Sequence, residues 1–174
     1  MTREGEQRMA IEVGQAAPNV PGTFEDADGN PHELAAEMAE GPTLIGLYKS
    51  SCQASKTFFP FLERLHERYK DAGLRVVGIG QDSPNITRSF ARRLGLTFPI
   101  LIEPEGYPVS NAFDIAATPT VFLVGRDGKV AYTTMGFLKP GLDAMGDAVA
   151  DALGLPRQPL VGEDDASVPM FVPG

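Results

Sequence analysis

The sequence predicts an α/β sandwich with a central mixed β-sheet flanked by helices, on three observations. Short apolar runs suited to buried strands alternate with stretches of helical apolar spacing. Two later runs flank a tight turn, the signature of an antiparallel hairpin, and an amphipathic segment follows them. Finally, 174 residues suit a single domain that buries roughly 70% of the surface its unfolded chain exposes, so no covalent staple is needed.

Residues 1–10, with Arg3, Glu4, Glu6 and Arg8, read as a flexible leader, residues 11–154 as the folded domain and residues 155–174 as an irregular tail. Asp28-Gly29 marks a hairpin turn, and residues 32–38 predict a short helix. The run Thr43-Leu44-Ile45-Gly46-Leu47-Tyr48 predicts a strand buried on both faces. After a Lys49-Ser50-Ser51 loop, Phe58, Phe61, Leu62, Leu65 and Tyr69 recur at helical spacing, with Pro60 as a kink and Gly73 as the stop.

The second half repeats the alternation. Residues 74–79 predict a strand and residues 83–94 a helix, with Ser83 or Asp82 near its cap and Pro84 in its first turn. Residues 98–102 predict a strand, residues 108–113 a short helix, and residues 121–124 and 129–133 the hairpin around Arg126-Asp127-Gly128. Residues 140–153 predict the last helix. A sheet that is parallel first and antiparallel at its end, with right-handed crossovers, brings the end of the Thr43 strand and the start of the Val121 strand to one edge. Cys52 and Pro119 then face each other.

Charge and composition exclude several function classes. A formal net charge of −8 argues against nucleic-acid partners and anionic membranes, and no run approaches the roughly 18 apolar residues that span a bilayer. A single cysteine and the absence of a signal-like apolar segment predict a reducing, cytoplasmic setting. His32 and His66 belong to no cluster with metal-ligand spacing, and no phosphate-cradling glycine loop is present, so neither a metal nor a cofactor is expected. The Phe-rich stretch reads as core, and Glu103 as a solvated strand end near the Cys52 edge with a small functional weight. An exposed edge strand and the tail allow a homodimer.

Cys52 carries the chemistry. It ends an apolar strand and opens a helix, where unpaired N–H groups and the helix dipole favour a thiolate. One turn later stands Ser55, not a second thiol, and its hydroxyl is placed to hydrogen-bond the Cys52 sulfur.

Lys49-Ser50-Ser51-Cys52-Gln53-Ala54-Ser55, then Phe59-Pro60 and Leu62, with Ala117-Thr118-Pro119-Thr120-Val121-Phe122-Leu123-Val124 downstream, resemble the thioredoxin fold. More narrowly the chain is similar to TlpA/ResA-like redoxins of the alkyl hydroperoxide reductase/thiol-specific antioxidant superfamily. The resemblance covers about residues 11–154. It implies a thioredoxin-like sandwich, Cys52 as attacking sulfur and Pro119 as a cis proline, with Thr118 offering backbone groups to an extended substrate. Beside the sulfur, Lys49 is expected to contribute a cation and Tyr48 to wall the pocket, and with Gln53, Thr118 and Pro119 they are the candidate substrate-binding residues. Three departures stand out. Ser55 holds the place of the resolving cysteine, Ser51 that of the usual tryptophan, and Gly46 that of a buried acid.

The expected activity is therefore monothiol thiol-disulfide exchange through Cys52, as an oxidoreductase acting in antioxidant defence and redox homeostasis. Its partners are proteins or low-molecular-weight thiols and disulfides, and an external thiol resolves the mixed disulfide. Two alternatives stay open. One is a non-catalytic binding module or redox sensor built around Thr118-Pro119. The other is a weak one-cysteine thiol peroxidase, disfavoured because Ile45 and Lys49 occupy places where peroxiredoxins carry Pro and Thr or Ser.

Overall fold

The computed structural model describes residues 11–174; the leader expected over residues 1–10 lies outside the described residues. Strands β1 (Phe24–Asp26) and β2 (Pro31–His32) form the hairpin at Asp28-Gly29. Asp26 explains its tightness, because its carboxylate accepts the backbone N–H groups of Asp28 and Asn30 at 2.9 and 3.0 Å and contacts His32 Nε2 at 2.8 Å. Since Pro31 and His32 are taken up by this pairing, helix α1 (Leu34–Glu40) starts later than the sequence spacing suggests.

The first expected central strand forms as β3 (Thr43–Leu47), buried at every residue. It leads into the long helix α2 (Gln53–Tyr69), which runs on through Pro60. A single 3-10 turn ends at Gly73, whose φ of 103° suits a residue without a Cβ. Then follow β4 (Arg75–Gly80), α3 (Pro84–Leu94), β5 (Ile100–Ile102) and α4 (Pro108–Ala112). Ser83 caps α3 by accepting Ile86 N–H at 3.3 Å. The hairpin is β6 (Thr120–Val124) and β7 (Val130–Met135). Strand β8 (Phe137–Leu138), a 3-10 turn at Lys139–Gly141, α5 (Leu142–Leu153) and β9 (Phe171–Val172) complete the chain.

Seven strands form one sheet in the order β2-β1-β5-β4-β3-β6-β7. β3, β4 and β5 run parallel, β6 pairs antiparallel with β3, and β7 pairs antiparallel with β6. Alternate side chains of β3 and β4 enter opposite layers. Leu44 and Val76 pack with Phe58, Phe59 and Leu62 of α2 and with Met145 and Val149 of α5, whereas Ile45 and Val77 pack with Leu34 and Val109. Helices therefore cover both faces, as expected for a mixed sheet with parallel crossovers.

Gly46 records how closely α2 lies on the sheet. A Cβ at this position would fall 2.9 Å from both Leu62 Cδ1 and Phe59 Cζ. The place of the buried acid in the related pattern is thus filled by two apolar side chains. Gly46→Ala is expected to lower the unfolding free energy by about 1–3 kcal/mol through overpacking. Urea titration checks this, and an unchanged midpoint would contradict the close seating of α2 on β3.

Candidate functional site

Because β3 and β6 are antiparallel with Leu47 opposite Thr120, the loop that leaves β3 meets the loop that enters β6. Cys52 lies on the first loop as the N-cap of α2, in extended conformation (φ −86°, ψ 122°) and half-buried. Thr118-Pro119 lies on the second, and its peptide bond is cis. The Cys52 thiol points at the Thr118 carbonyl, with Sγ 3.6 Å from the oxygen. Cys52 and the Thr-Pro pair, 66 positions apart, are thereby one site.

Polar side chains shape the loop before the cysteine. Cys52 N–H closes a turn on the Lys49 carbonyl at 3.1 Å. Ser55 is fully buried, and its hydroxyl accepts the Lys49 N–H at 3.4 Å. This corrects the expectation that Ser55 serves the Cys52 sulfur: its oxygen is turned to the backbone of the loop, and the partner of the thiol is Thr118. Asp82 plays a matching part that the sequence reading missed. β3 and β4 are parallel and in step, so the loop after β4 runs beside the Cys52 loop, and Asp82 Oδ2 accepts the Ser50 N–H at 3.4 Å. The signal available in sequence was the carboxylate's place two residues beyond the neighbouring parallel strand.

Tyr48 is not a pocket wall, and here too the expectation is corrected. It is 2% exposed, with its ring stacked on Phe90 at a centroid distance of 4.5 Å and tilted against Phe59 at 4.8 Å. Burial, reinforced by the negative charge of Asp82, pushes its phenol well above the ordinary tyrosine range. The Thr87 hydroxyl is near enough to offset part of that rise, yet the two groups make no hydrogen bond of normal geometry. Tyr48 supports the loop from beneath. Lys49 and Gln53 are exposed beside Cys52, as a substrate-facing role requires; the Gln53 amide donates to Thr57 Oγ1 at 3.3 Å.

Glu103 departs from the expected solvated strand end. It is 3% exposed, and its Oε1 accepts the N–H groups of Val109 and Ser110 at 3.0 and 3.2 Å. Oε2 accepts the Ser110 hydroxyl and the Gln81 amide. The carboxylate satisfies free donors at the start of α4, which explains how a charge is tolerated there. Among the described residues no group of three or more His, Cys, Asp or Glu side chains is placed to hold a metal ion. None of their helices is long and apolar enough to cross a membrane.

The segment beyond Gly154 reaches the site. Arg64 of α2 makes a two-point contact with Asp165, at 2.7 and 2.6 Å, and the Asp165 side chain is nearly fully buried. The Lys139 ammonium donates to the carbonyls of Asp165 and Val168, and the Lys139 N–H donates to Met170. These anchors let β9 pair antiparallel with β8, and Gly174 then lies against Thr118 so closely that a Cβ on it would overlap the Thr118 carbonyl. The end of this segment thus lies on the Thr118 carbonyl, beside the cis proline.

A model of the AhpC/TSA family matches residues 13–133, which include Cys52, Ser55 and Thr118-Pro119. The chain belongs to the AhpC/TSA family. Among its relatives, this AhpC/TSA chain is 29% identical over 125 residues to the thiol-disulfide oxidoreductase ResA of Geobacillus kaustophilus (strain HTA426), covering 71% of this chain and 70% of that protein. To the ResA of Bacillus subtilis (strain 168) it is 27% identical over 130 residues, covering 74% and 70%. A thiol:disulfide interchange protein of the thioredoxin family from Chlorobium tepidum TLS superposes with a TM-score of 0.68 at 17% identity, over 82% of this chain and all of that one. The fold is thioredoxin-like.

The clamp at Asp165 has a pH signature. The Arg64 guanidinium holds the Asp165 carboxyl down to about 2, below its value in an unfolded chain. A depressed folded value stabilises the docked segment fully above about pH 4 and loses that contribution as pH falls toward 2. Methyl NMR signals of Val168 and Val172 are expected to report undocking over this range in the wild type. In Asp165→Asn they are expected to report a loosened segment already at neutral pH.

Proposed function

We propose that this protein is a thiol-disulfide oxidoreductase that works through Cys52 alone, with the mixed disulfide resolved by an external thiol. The observation that carries this reading is the position of the sulfur. Cys52 caps α2, is half-exposed, and lies against the carbonyl that precedes a cis proline, while the position one turn on holds a buried serine hydroxyl engaged by Lys49. The ResA relatives, named thiol-disulfide oxidoreductases, support the class of chemistry. The serine supports the monothiol form of it, because a hydroxyl cannot attack the mixed disulfide at a useful rate, whereas a solution thiolate can.

Two measurements test the reading. In the native protein Cys52 is expected to take up a small disulfide as a mixed disulfide that added thiol removes, followed by intact-protein mass, and no mass gain before denaturation would overturn the assignment. Ser55→Cys supplies the missing resolving thiol and is expected to create insulin disulfide reduction, which the wild type should lack in the absence of added thiol. Efficient reduction of insulin by the wild type without added thiol would contradict the monothiol mechanism.

A further inference from the structure

We propose that the cavity between α2 and α3 beside the Cys52 loop binds a small, carboxylate-bearing thiol or its disulfide. This inference rests on the monothiol reading of Cys52 and names the class of its substrate. The cavity has a volume of about 330 Å³, at the small end of the range for ligand pockets. Ile86 and Phe90 supply an apolar wall, Ser50 and Ser89 supply hydroxyls, and Lys56 and Arg93 supply positive charge.

Charge is the specific element. The chain carries a net charge of −8, and Arg64, Lys70, Arg75, Arg88 and Arg157 are each paired with a carboxylate. Lys56 and Arg93, one from each wall of the cavity, have no such partner among the described residues; Lys49, Arg92, Arg126 and Lys129 lack one as well but do not line the cavity. Their chemistry fits an anion with more than one carboxylate. Position ties the cavity to the sulfur: Ser50 lines it two residues before Cys52, and Lys56 follows Cys52 by one helical turn, with its N–H on the Cys52 carbonyl at 3.1 Å.

The opposite approach to Cys52 favours a small ligand as well. An extended polypeptide would add along Thr118, but Gly174 already lies against that carbonyl, and β9 is anchored through Asp165 and Lys139. A ligand seated between α2 and α3 needs no displacement of this segment. In the reaction, the Cys52 thiolate attacks one sulfur of the bound disulfide. The ligand S–S bond breaks as the new Cys52 S–S bond forms, and the other half leaves as a thiolate that takes a proton from water. A second molecule of the same thiol reverses the modification by attacking the ligand sulfur and releasing Cys52.

The test compares oxidised glutathione, which bears carboxylates, with uncharged hydroxyethyl disulfide, following Cys52 modification by mass. Lys56→Gln combined with Arg93→Gln is expected to slow modification by oxidised glutathione roughly tenfold at low salt and to leave the uncharged disulfide unaffected. Added salt should erase the difference, since exposed charges are screened. In parallel, reduced glutathione is titrated into Cys52→Ser, where amide shifts at Ser50 and Ser89 report binding without chemistry. Reaction in the wild type with no charge dependence and no shifts overturns the cavity and leaves the monothiol reading standing. Shifts without any wild-type reaction overturn the monothiol reading and leave the binding site. Faster modification by a long acidic peptide disulfide than by oxidised glutathione would overturn the assignment to a small ligand.

Discussion

The register between β3 and β6 is the constraint on which the rest of the site depends. With Thr43 opposite Val124 and Leu47 opposite Thr120, the exit of one strand and the entrance of the other lie side by side. All residues of both strands are buried, so a shift by one position would exchange the side chains that enter the two core layers. Hydrophobic burial thereby holds Cys52 to the Thr118 carbonyl. The reactive sulfur needs no strong bond of its own.

The parallel neighbour β4 adds a second level of control. Its loop delivers Asp82 to Ser50 N–H, while Ser55 takes Lys49 N–H from inside α2. Both contacts lie at the long end of the hydrogen-bond range, so their contribution is to orient the loop more than to stabilise the fold. Beneath them Tyr48, Phe59 and Phe90 form an aromatic floor. Ser55, one turn after Cys52, is part of this loop scaffold, which gives it a structural use independent of catalysis.

Acidic residues are employed largely as acceptors for main-chain and guanidinium donors. Glu103 holds the start of α4, Asp143 takes the N–H groups of Leu160 and Val161, and Asp165 takes Arg64 together with Gly162 N–H. The last two residues bind the segment after α5 to the domain and so bring Gly174 to Thr118. Gly174 lies against the Thr118 carbonyl that Cys52 contacts, and Lys56 and Arg93 line a cavity on the α3 side of the same loop.

The sequence by itself determined the order of the central strands and of the helices, the buried character of Thr43–Leu47, and the pairing of Cys52 with Thr118-Pro119, because apolar periodicity and crossover handedness are local or near-local properties. It also made the absence of a second thiol plain. Tertiary structure decided what the neighbouring polar groups do. Ser55 faces the loop backbone, Tyr48 sinks into the core, Glu103 is buried at α4, and α1 starts late because Pro31 and His32 pair with β1. The docking of residues 155–174 was likewise invisible, since its anchors, Arg64 to Asp165 and Lys139 to Val168, join residues 101 and 29 positions apart and leave no hydrophobic period to read. A single polar side chain has several possible partners along a chain, and only the packed fold selects among them.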